Sequence, residues 1–163
     1  MRFFNTAGPC DPRFHYMLPA AERLPEAPEI VEMGGYFVVH ASRQTGKTTT
    51  LAALARALTA EGRYAALRFS CEVGAAADDD YGGAQRAILQ SVRRWAGSAL
   101  PPELMPPASW PESDDGSLLA EALHAWARAC PRPLVLFFDE IDSLRGRSLI
   151  SVLRQLRDIF NPA

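Results

Sequence analysis

Between Val38 and Thr50 the chain reads VVHASRQTGKTTT, and Lys47 within it is the only lysine among seventeen basic residues. A guanidinium is wide, planar and built for forked contacts, whereas a compact ammonium can enter a small pocket. A composition that uses arginine everywhere else therefore marks Lys47 as a side chain that touches a ligand. The spacing around it names the ligand class. Ala41, Ser42, Arg43, Gln44, Thr45, Gly46, Lys47 and Thr48 fit the phosphate-binding pattern G-x-x-x-x-G-K-[ST], with Ala41 in place of the first glycine. In such a loop successive backbone N–H groups and the start of the next helix hold phosphate oxygens, and Thr49 continues that run. Gly46 lets the backbone come close without a Cβ in the way. Lys47 reaches the outer phosphates, and the Thr48 hydroxyl ligates Mg²⁺. Ala41 adds one methyl group at the loop entry, which the cradle can absorb.

A second group of residues ends the apolar run LVLFFDEID. A buried strand that finishes in Asp139 and Glu140 sets two carboxylates at the C-terminal edge of a sheet, where open α/β folds bind ligands. There Asp139 would hold Mg²⁺, usually through water, and Glu140 would orient and polarise a water toward a γ-phosphate. Read without the loop upstream, the same residues describe equally well a core strand with solvated acids beyond its end.

The elements that must position these groups are legible from periodicity. EAPEIVEMGG reads as a short helix with Pro28 in its first turn and Gly34 or Gly35 ending it. Tyr36 to His40 is an apolar, β-rich run of strand length. From Lys47 to Ala60, Leu51, Leu54, Ala55 and Leu58 share a helical face, and Gly62 stops the helix. A strand over Tyr64 to Ser70 follows. A helix over Tyr81 to Trp95 then places Ile88, Val92 and Trp95 on one side. Asp78 to Asp80, just before it, admit a metal site or a solvated helix N-terminus, and the second is the commoner use of such a run. Residues 97 to 116 carry five prolines and form an irregular excursion, either packed down or meeting a partner through Trp110. Ser117 is placed to cap a helix with Leu119, Leu123 and Trp126 on one stripe. His124 lacks a ligand-type neighbour at helical spacing and reads as structural or exposed. The strand ending in Asp139 and a last amphipathic helix, SLISVLRQLRDIF, complete the chain. Strands alternating with helices predict a layered α/β fold with a parallel sheet.

With 163 residues, 48% of them hydrophobic, the chain can build one real core. The expected organisation is an N-terminal segment over 1–35 leading into a nucleotide-binding core over 36–163. A net charge of −2 and the lack of a dense Lys/Arg run argue against bulk electrostatic binding of nucleic acid. Cys10, Cys71 and Cys130 fit no metal pattern and read as ordinary buried or half-buried thiols of a reducing compartment. No secretory leader or membrane span is discernible, so a cytoplasmic protein is expected.

ASRQTGKT and LVLFFDEID resemble the Walker A and Walker B motifs of the AAA+ superfamily of P-loop ATPases and of related signal-transduction (STAND-like) NTPases. With FFNTAGP, HYMLP and VVHASRQTGKTTTLAALA included, the whole chain is similar to the N-terminal part of bacterial AAA-family ATP-binding proteins. The resemblance implies a three-layer α/β/α P-loop NTPase fold, with ATP and Mg²⁺ as ligands. It implies Lys47 and Thr48 at the phosphates, Asp139 at the metal and Glu140 as catalytic carboxylate. It also implies that the chain is incomplete at its C-terminus, stopping one helix after Glu140 without sensor residues or an arginine finger. In the fold it resembles, a further strand lies between the first and third of those recognised here. A fragment lacking it is expected to bind nucleotide poorly and to turn it over negligibly.

Three functions follow. The first is an ATPase that drives or switches an unidentified protein partner or downstream domain, with a homo-oligomer as one option for the full-length form. The others are a nucleotide-binding regulatory module with little turnover and a small-molecule or nucleotide kinase. The Glu140 that immediately follows Asp139 favours attack by water over transfer to a substrate hydroxyl. Tyr16 and its apolar neighbours in HYMLP are candidates for packing on adenine, or else for ordinary core packing.

Overall fold

Along two short strands the side chains point alternately to two faces, and that alternation builds both the core and the site. The structure, a computed structural model, describes residues 11, 13–16, 19–42 and 45–160. Its helices are α1 (Ala20–Arg23), α2 (Ala27–Glu32), α3 (Lys47–Ala60), α4 (Tyr81–Ala99), α5 (Leu118–Ala129) and α6 (Gly146–Phe160). Its strands are β1 (Ala65–Ser70) and β2 (Leu134–Asp139). They pair in parallel, from Ala65 opposite Leu134 to Ser70 opposite Asp139. Parallel neighbours need a long crossover, which α4 and α5 supply.

Successive strand residues point to opposite faces. On one face Leu67 and Phe69 pack with Ile88 and Val92 of α4, Leu119 and Trp126 of α5, and Val152 of α6. Phe69 meets Phe138 of β2 edge-on, ring centroids 4.7 Å apart. On the other face Ala66 and Phe137 meet Leu51, Leu54, Ala55 and Leu58 of α3 and Ala27 and Val31 of α2. Toward the C-terminal end this second face turns polar, because Arg68, Ser70 and Asp139 follow in the alternation.

Several sequence expectations meet the structure closely. α3 spans Lys47–Ala60 with the expected apolar stripe buried, and Gly62, at φ +85°, closes it. α5 buries Leu119, Leu123 and Trp126 as expected. Trp110 packs against the larger cluster while Arg93 stacks on its ring at 4.4 Å. The Trp126 indole N–H donates to the Leu104 carbonyl at 3.1 Å. The proline-rich excursion is therefore packed down.

Other expectations are corrected. Tyr36 to His40 is not a strand. Phe37 and Val39 pack on the smaller cluster while Tyr36 and Val38 are exposed, but none of the five residues has a backbone hydrogen bond among the described residues. A β-prone run becomes a strand only beside a neighbour that takes its N–H and C=O groups. α4 continues past Trp95 to Ala99, so the excursion begins at Leu100. Trp95 is 38% exposed and leaves the buried stripe to Ile88, Leu89, Val92 and Ala96. Ser117 sits at the N-cap position of α5 without a side-chain cap bond; its hydroxyl pairs with that of Ser113 at 2.7 Å. The acids before α4 act on helix ends. Asp80 accepts the Gly83 N–H at 2.9 Å and Asp79 the Arg147 N–H at 3.1 Å.

One buried polar side chain joins three helices. Gln85 is fully buried; its amide donates to the carbonyls of Tyr81 and Asp115 at 3.0 and 2.7 Å. Its carbonyl accepts from the Leu119 N–H at 3.0 Å and from Gln155 at 2.8 Å. Leucine would fill the space but strand those groups, so Gln85→Leu should lower unfolding free energy by on the order of 3 kcal/mol. Urea unfolding followed by circular dichroism measures it, and a neutral result would show that the network adds nothing.

Candidate functional site

The loop before α3 enters the helix through Gly46, whose φ of +80° is left-handed and favours glycine. A Cβ there would also run into the guanidinium of Arg23. That arginine, at the end of α1, donates to the Thr50 hydroxyl at 3.1 Å and to the Thr45 carbonyl. The loop is tied within itself too: the Thr45 hydroxyl donates to the Ser42 carbonyl at 2.8 Å, and the Lys47 ammonium to the Ala41 carbonyl at 2.6 Å. Arg43 and Gln44 lie outside the described residues.

Thr48, in the first turn of α3, faces the end of β2. Its hydroxyl donates to Asp139 Oδ2 at 2.7 Å, joining residues 91 positions apart. The structure thus brings together two of the residues singled out for the metal, and Lys47 adjoins them on the same helical turn. Glu140 follows Asp139 directly but takes a left-handed backbone, φ +56°. Its side chain accepts from the Ser70 hydroxyl at 3.0 Å. Beneath this edge the Cys71 N–H donates to the Asp139 carbonyl at 2.8 Å. Burial pushes the Cys71 thiol up to about 12, with the negative charges of Asp139 and Glu140 adding to the effect. It is inert at neutral pH. Cys130 is half-buried, as expected of it; Cys10 lies outside the described residues.

Sequence reasoning missed three side chains at this edge. Arg23 gave no signal, being far upstream and in no motif. Arg68 and Ser70 fell within the expected strand Tyr64 to Ser70 without a role of their own, and only the register that sets Ser70 beside Asp139 reveals their place. Tyr16 is 57% exposed, and Met17 and Leu18 lie outside the described residues.

A family model described as an AAA domain matches residues 32–163. The chain belongs to the AAA domain family. Membership gives this AAA domain the P-loop nucleoside-triphosphatase fold, of which the parallel β1–β2 pair with helices on both faces is part, and points to nucleotide binding. No curated protein and no solved structure gives a significant match. No described helix is long and apolar enough to cross a membrane.

Proposed function

We propose that this AAA domain binds ATP with Mg²⁺ at Ala41 to Thr49 and hydrolyses it, using turnover to drive or switch a protein partner. The observation that carries the reading is the 2.7 Å hydrogen bond from Thr48 to Asp139. It sets a hydroxyl at a helix start against a carboxylate at a strand end, directly after the lone lysine. Both are hard oxygen donors of the kind that suits Mg²⁺. Thr48 and Asp139 would hold the ion, and it would supply charge neutralisation for the outer phosphates during the reaction.

The chain's own residues account for the rest. The N-terminus of α3, with Gly46 stripped of a Cβ, offers backbone N–H groups to phosphate oxygens. Lys47 exchanges its bond to the Ala41 carbonyl for one to a phosphate, trading a neutral acceptor for an anionic one. Glu140, steadied by Ser70, orients the attacking water and accepts its proton. The carboxylate pair supports water as the acceptor over a substrate hydroxyl. Equilibrium titration of the full-length protein with ATP tests the reading: binding should saturate and should weaken when the Mg²⁺ is chelated, and inorganic phosphate should appear during turnover. Binding that ignores chelation, or no binding at all, would overturn it.

A further inference from the structure

Arg68 is not needed for any of the nucleotide chemistry above, yet it makes the strongest contact with Asp139. Its Nε and Nη2 donate to Asp139 Oδ2 at 2.9 and 2.8 Å. This is the oxygen that also accepts the Thr48 hydroxyl. The pair is buried, with side chains 10% and 5% exposed. The guanidinium is held from its other side by the ring of Trp95, 4.7 Å from the centroid.

A buried carboxylate left without a cation is costly, and a hydroxyl donor alone does not neutralise it. Arginine cannot lose its proton in a protein, so the compensation Arg68 gives is permanent. The same charge repels a second cation that approaches the carboxylate. Nucleotide phosphates would bring enough negative charge to offset that repulsion; a free divalent ion would not.

We propose that Arg68 is the resident counter-cation of Asp139. It neutralises the carboxylate in the nucleotide-free protein, keeps Oδ2 turned toward Thr48, and excludes free divalent cations, so that metal enters only with the nucleotide. This rests on the reading of Asp139 as the metal carboxylate. A plain structural ion pair would stabilise the fold to the same degree whatever the solution contained.

Thermal unfolding of the full-length wild-type protein, Arg68→Gln and Arg68→Lys, each in chelator, in Mg²⁺ alone and in Mg²⁺ with ATP, separates the two. Mg²⁺ alone should leave the wild-type and Arg68→Lys midpoints in place and raise that of Arg68→Gln by several degrees. That rise corresponds to a gain of about tenfold or more in affinity for the free ion. Equal responses of wild type and Arg68→Gln to Mg²⁺ alone would overturn the proposal. Should Arg68→Gln not fold, the wild-type Arg68 Nε–H resonance, assigned by its loss in Arg68→Lys, decides. It should be protected from exchange and unmoved by Mg²⁺ alone, and its displacement by Mg²⁺ alone would refute the role. Failure of Mg²⁺ with ATP to stabilise the wild type would instead strike the nucleotide reading, and this inference with it.

Discussion

Replacing Lys47 by alanine should weaken ATP binding by roughly a hundredfold while leaving the fold untouched. A charge-assisted bond to a phosphate is worth about 2–3 kcal/mol, which is that factor in Kd. The fold should tolerate the change because the ammonium's hydrogen bond is to the Ala41 carbonyl, an exposed acceptor that water can serve. Unfolding free energy should therefore move by no more than about 0.5 kcal/mol. Calorimetric titration beside a urea melt gives both quantities. Unchanged affinity in a folded variant would remove Lys47 from the phosphates.

Glu140→Gln should act in the opposite way, sparing affinity and removing turnover. Glutamine keeps the length of the side chain and an oxygen to accept from Ser70, so the 3.0 Å contact can persist. What is lost is the negative charge that accepts a proton from water, a role worth on the order of a hundredfold or more in rate. Phosphate release in a preparation that hydrolyses ATP, set against nucleotide affinity, distinguishes the outcomes. A matched fall in both would mean that Glu140 shapes the pocket and takes no part in the chemistry.

The residues that sequence reasoning found and those it missed divide by how far their meaning depends on a distant partner. Gly46, Lys47 and Thr48 are legible because one loop and one helix start define them, and α3 has the bounds that its own periodicity dictates. Asp139 is legible only together with the loop upstream, because an apolar strand ending in acids is by itself equally a core strand with solvated acids beyond its end. That it meets Thr48 follows from the fold family, and the 2.7 Å bond shows it. Arg68 and Ser70 were invisible for the opposite reason: each acts through a residue about seventy positions away, and only the parallel register sets them beside it. Tyr36 to His40 shows the same dependence in reverse. Its β-branched and aromatic residues fit a strand, but strand propensity is a statement about fit to neighbours, and among the described residues no neighbour takes its backbone groups.

The left-handed backbone of Glu140 sets thermal robustness against activity at a single codon. A side chain held at φ +56° costs of order 1 kcal/mol that glycine would not. Selection for heat resistance alone would thus be drawn to glycine at this position, and under the proposed function the hardier protein would lack the carboxylate that orients water toward ATP. Under the proposed function, Glu140 is the kind of compromise in which stability is given up locally for reactivity.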